Sequence, residues 1–158
     1  MRGKRAPKRS CLPDPVYKSR LLTQFINRVM KDGKKSLAQK LVYQALEKVQ
    51  KDTKQDPLKV FREAVENVEP SMEVRPRRVG GAAYMVPIPV KGDRKESLAV
   101  RWLILAARDR PNKDYHTFDQ KLAAELIDAS RGQGGAVKKR QDTHRLAEAN
   151  KAFAHFRW

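Results

Sequence analysis

At 158 residues, 40% hydrophobic and 34% charged, the chain is expected to form one domain with a core that buries roughly 70% of its unfolded surface. Its 35 Lys and Arg against 18 Asp and Glu give a formal net charge of +17, which opposes a compact state lacking a counter-charged partner. No run approaches the ~20 apolar residues of a membrane span, no apolar stretch follows the basic N-terminus, and Cys11 as the only cysteine excludes an internal disulfide or a cysteine-bound zinc, so a soluble, intracellular polyanion binder is expected.

Residues 1–15 read as an extended, disordered basic tail: Arg2, Lys4, Arg5, Lys8 and Arg9 fall among Pro7, Pro13 and Pro15, with no acid before Asp14. Residues 16–158 read as a single helical domain. Ser19 is placed to cap a first helix with the stripe Leu22, Phe25, Ile26, Val29 and Met30, ended by Gly33. Lys34 and Lys35 follow at a turn, where they either reach adjacent phosphates or are simply solvated. Ser36 is expected to cap a second helix with Leu37, Leu41, Val42, Ala45, Leu46 and Val49 inward. Asp56-Pro57 starts a third, which buries Val60, Phe61, Ala64, Val65 and Val68 and stops at Pro70.

A β-hairpin arm is expected at about residues 72–90. Gly80-Gly81 separates two β-prone runs, and glycine accepts the positive φ of a two-residue turn. Pro76, Pro87 and Pro89 keep either strand out of the middle of a sheet. A fourth helix, Ser97 to Arg108 after an opening at Asp93 or Lys95, is apolar nearly all round and belongs in the middle of a bundle. Thr117 can cap a fifth helix with Phe118, Leu122, Leu126 and Ile127. After Gly132, Gly134 and Gly135 a sixth runs from about Ala136, with Leu146, Ala149, Asn150 and Phe153 on one side. The fold class is therefore mainly α, a six-helix bundle with one projecting β-hairpin.

Charge is segregated along the chain, which favours a binding face backed by a more neutral one. On the hairpin, alternation puts Arg75 and Arg77 on one face and Arg78 on the other, and guanidinium forks match phosphate geometry. Tyr84 and Met85 on the return strand offer stacking or wedging surface; the bland alternative is a charged strand that merely blocks edge pairing. Lys138, Lys139 and Arg140 open the last helix, where the dipole favours anions or the face is only solvated. His155, Phe156, Arg157 and Trp158 are a core anchor or a partner contact.

Catalysis has little support. His116, His144 and His155 lack metal-ligand spacing, no glycine-rich phosphate loop occurs, and Cys11 lies beside no base. No metal, cofactor or small-molecule substrate is expected. A basic DNA- or RNA-architectural binding protein would have this charge and this arm.

Four stretches carry a resemblance: Phe25 to Ala38, Arg77 to Ala82, Leu98 to Leu103, and Gly135 through Trp158. In that order they resemble the bacterial-type small-subunit ribosomal protein seven family, almost end to end. The resemblance implies a ribosomal RNA-binding protein that nucleates the subunit head on the 3′ major domain. It implies RNA contacts for Arg2 to Arg9, Lys34 and Lys35, and a hairpin, Arg75 to Val90, near exit-site tRNA and mRNA. It also implies a C-terminal segment that reaches toward platform protein eleven, with head protein nine close by. Pro76 and Pro89 depart from the family pattern and are expected to weaken the outer hairpin pairing; the stretch from Pro111 to Thr117 looks a few residues longer.

Overall fold

The structure, a computed structural model, describes Gly3, Ala6 and residues 11–157. Among the described residues, six α-helices pack into one bundle: α1 Arg20–Val29, α2 Lys35–Thr53, α3 Pro57–Val68, α4 Asp93–Asp109, α5 Phe118–Ser130 and α6 Gly135–Ala149. Between α3 and α4 the chain forms the antiparallel strands β1 Met72–Val79 and β2 Ala82–Pro89, and a 3₁₀ turn, Lys151–Phe156, follows α6. The expected mainly helical fold with one hairpin is what the chain adopts. The basic residues of the expected tail lie outside the described residues. Its last two, Asp14 and Pro15, join a fastened turn: Asp14 is buried and its Oδ2 accepts the Tyr17 N–H at 3.0 Å and the Tyr43 hydroxyl at 2.8 Å.

The helix signals act through ordinary end chemistry. Ser19 accepts the Leu22 N–H at 3.3 Å, Asp56 accepts the Leu58 N–H at 3.0 Å ahead of Pro57, and Thr117 with Gln120 forms a capping box. Three boundaries differ from expectation. α1 ends at Val29 rather than Gly33, because Met30 turns extended and Arg108 of α4 donates to the Val29 carbonyl at 3.1 Å. Asp32 and Gly33, both at positive φ, then form the turn, so α2 begins at Lys35 and Ser36 caps nothing. α4 starts at Asp93, one of the two expected openings, but as its first helical residue, so the helix proper runs a turn ahead of Ser97.

The core is continuous through all six helices, with Phe25 and Phe61 edge to face at its centre, 5.2 Å apart. α5 lies inside, touching α2, α3, α4 and α6. Three apolar assignments fail. Leu37 is 52% exposed, Leu105 is 37% exposed, and Leu146 is 57% exposed on the outside of α6. α6 is rotated so that Ala136, Val137 and Ala147 face inward, because Arg140 bonds the Asn67 carbonyl and His144 bonds the Ser71 amide on that same side. Polar fastenings set the rotation of this helix more than its few apolar residues do.

Candidate nucleic-acid interface

The hairpin turns at Gly80 and Gly81 with φ of +56° and +89°, the geometry of a primed two-residue turn. Such a turn makes Val79 and Ala82 a hydrogen-bonded pair, and hydrogen-bonded pairs then alternate along the ladder. Pro76 faces Met85, Pro87 faces Val74 and Pro89 faces Met72, so all three prolines fall in the non-bonded set. None removes a ladder bond. The expected weakening by Pro76 and Pro89 therefore does not arise.

The two faces of the arm differ. One carries Glu73, Arg75, Arg77, Tyr84 and Val86, and its root is bound to the body. Glu73, 8% exposed, pairs with Arg75 through one oxygen and with Arg94 of α4 through the other at 3.0 Å. Tyr84 packs against Phe153 and Phe156, with ring centroids 5.2 and 5.4 Å away. Tyr84 is thus committed to the C-terminal turn, and Phe156 acts as an intramolecular anchor. The tip remains open: Arg77, Arg78 and Ala83 are exposed, and Met85 is 51% exposed.

Lys34 and Lys35 are exposed at the α1–α2 turn, and no side chain caps the first turn of α2. Their ammonium groups therefore sit beside a helix N-terminus whose dipole favours anions. Lys138 and Lys139 are exposed in the first turn of α6, whereas Arg140 points inward onto α3. His155 and Arg157 are exposed, the His155 Nδ1 lying 2.9 Å from the Ala152 carbonyl. Arg2, Lys4, Arg5, Lys8, Arg9 and Trp158 lie outside the described residues.

A set of cations absent from the sequence reading lies on α4. Positions 94, 97, 101, 105 and 108 form one stripe at helical spacing, occupied by Arg, Ser, Arg, Leu and Arg. Apolar density hides this stripe in the sequence, because Leu98 to Val100, Trp102 to Ile104 and Ala107 around it are buried, in a helix that packs against α1, α3, α5 and α6. Arg94 reaches the hairpin root at Glu73, Arg28 of α1 donates to Ser97 at 3.0 Å, and Arg108 meets the end of α1. The stripe therefore joins the hairpin root to the α1–α2 turn with Lys31, Lys34 and Lys35. Glu47, Asp52 and Glu66 are exposed on α2 and α3, where Lys40, Lys51, Lys59 and Arg62 are exposed beside them.

Titratable groups elsewhere are tied up structurally. Burial opposes ionisation of Asp119, but hydrogen bonds from Lys48 and Thr117 outweigh it and hold its carboxyl below the usual range. Burial also pushes up the Tyr43 and Tyr17 hydroxyls. Among the described residues, no group of three His, Cys, Asp or Glu is placed to hold a metal ion, and no helix is long and apolar enough to cross a membrane.

Comparison with known proteins adds a family. Residues 1–151 match the family described as Ribosomal protein S7p/S5e. The chain is 57% identical over 152 residues to the small ribosomal subunit protein uS7 of Carboxydothermus hydrogenoformans, covering 96% of each chain. It is 59% identical over 152 residues to the uS7 of Nitratidesulfovibrio vulgaris, again with 96% of both covered. Against the uS7 of Kosmotoga olearia it is 56% identical over 158 residues, the full length of both.

Proposed function

The chain belongs to the ribosomal protein S7p/S5e family, and on that premise we propose that it grips small-subunit ribosomal RNA with the α1–α2 turn and the arginine stripe of α4. It is a structural, non-enzymatic component of the small ribosomal subunit, working in translation in the cytoplasm. The finer reading is that it binds the 3′ major domain early and nucleates the subunit head, with its basic tail and Lys138 and Lys139 adding contacts. The hairpin tip, Arg77 and Arg78 with Met85, reaches toward exit-site tRNA and mRNA. The exposed C-terminal residues face neighbouring small-subunit proteins nine and eleven.

One observation carries this reading: Arg94 and Arg101, exposed, and Arg108, partly exposed, share one stripe of α4, continuous with Lys34 and Lys35. Such a surface neutralises phosphates and releases counterions, so affinity falls steeply with salt. Specificity then comes from the shape of a folded RNA junction and its unpaired bases. Replacing Lys34 and Lys35 together by Ala should lower the slope of log affinity against log salt by about 1.5, two phosphate contacts' worth, for an RNA of the 3′ major domain. An unchanged slope would remove the turn from the interface.

A further inference from the structure

Between the α1–α2 turn and the start of α5 lies an open groove of about 380 Å3. Val29, Leu37, Leu41 and Phe118 form its apolar floor, and Lys31, Lys34 and Arg108 stand on its rim beside a single acid, Asp32. Leu37 is 52% exposed here while its neighbour Ala38 is buried, and Phe118 is half-buried, so apolar surface stays open to water within reach of three cations. The bond from Arg108 to the Val29 carbonyl holds its guanidinium at the wall, so little ordering remains on binding. The first turn of α2 opens beside the same rim with no side chain capping it.

We propose that this groove receives an unstacked nucleobase of the bound RNA, with that nucleotide's phosphate on Lys34 and the first turn of α2. The inference rests on the reading of this face as the RNA-binding one. A duplex backbone laid across the turn would satisfy the cations and leave the apolar floor wet. A flat apolar ring joined to an anion covers both, and only an unpaired nucleotide offers that ring to the protein. An acidic peptide with an apolar side chain is the competing occupant. Rim cations continuous with the Arg101 and Arg28 surface favour the repeating charge of a nucleic acid.

The test uses the full chain, an RNA of the 3′ major domain, and the variant Leu37→Ser, which alters an exposed side chain and no charge. The urea midpoint of the free protein should be unchanged. Affinity should fall about tenfold at every salt concentration with an unaltered salt slope, the signature of a lost base contact rather than a lost phosphate. A photoreactive phenylalanine at position 37 should crosslink to one unpaired nucleotide, and removing that base should cause the same loss, with none added by Leu37→Ser. Wild-type affinity for Leu37→Ser, with the Lys34 and Lys35 double variant still flattening the slope, would overturn the base site and leave the phosphate face standing. Crosslinking in reconstituted subunits to a protein instead of RNA would overturn it in favour of the acidic peptide. A slope that neither variant changes would sink the RNA face itself.

Discussion

Glu125 of α5 is 1% exposed, and both of its oxygens are engaged. One accepts from Arg110 Nε at 2.8 Å; the other accepts the Ala136 N–H at 2.9 Å, so that a side chain of α5 caps α6. Arg110 is shared with Asp128, and although burial works against its charge, these two carboxylates raise its pKa above the ordinary value. The glycines follow from this network. A Cβ at Gly134, where φ is +95°, would stand 3.0 Å from the Glu125 carboxylate and 3.2 Å from Asp128 Cβ. In the sequence nothing separates Glu125 from the other acids, and Gly134-Gly135 reads as a mere break. The partners lie 11 and 15 positions away, and no local pattern joins them. Replacing Glu125 by Ala strands a helix-end donor and leaves Arg110 half paired. Stability in urea should fall by about 3 kcal/mol with the m value unchanged, while the isolated protein keeps its helical content. A loss below about 1 kcal/mol would mean that the cap and ion pair contribute little.

Among the elements, the hairpin was the most legible in sequence and its attachment the least. Two glycines and three prolines announce the turn and forbid a wider sheet, because those residues act on their own backbone. The arm is held by residues far along the chain: Phe153 on Tyr84, and at the root Arg94 and His144, whose Nε2 accepts the Ser71 N–H at 3.0 Å from 73 positions away. Accepting that bond requires neutral imidazole. Burial, then the nearby charge of Arg140, lowers the His144 pKa from its usual 6.5. The unfolded chain therefore binds the proton more readily, so this contribution is complete above pH 6.5 and is lost as pH falls through the lower folded value. The Ser71 amide should exchange faster as pH drops from 7 toward 5.5, relative to the intrinsic exchange rate. His144→Gln should remove that pH dependence. Asp119, whose carboxyl is held low, acts only below pH 4 and does not enter this window. Exchange at Ser71 that follows the intrinsic rate across the range would detach the histidine from the hairpin root.

At the scale of the whole molecule, +17 is organised rather than merely accumulated. Cations line the α1–α2 turn, the α4 stripe and the hairpin tip, α2 and α3 carry acids and cations mixed, and the body is braced by pairs such as Arg110 with the buried Glu125. The linear charge map shows the segregation. It cannot show that Arg94, Arg101 and Arg108 share one stripe, because these positions align only through the spacing of the folded helix. This geometry divides the work between a broad grip on the body and a short reach at the tip. Removing Arg78, Val79, Ala82 and Ala83 shortens the arm by one pair of residues per strand and leaves Arg77 and Tyr84 to close the same two-glycine turn in the same hydrogen-bonding phase. Tyr84 keeps its packing on Phe153 and Phe156, so the urea midpoint should not move. Only one arginine is lost, so the salt slope for ribosomal RNA should fall by no more than about 0.9. Exit-site tRNA occupancy on reconstituted subunits should fall well beyond that. A collapse of ribosomal RNA affinity on shortening would instead move the tip into the primary footprint and reduce α4 to a supporting surface.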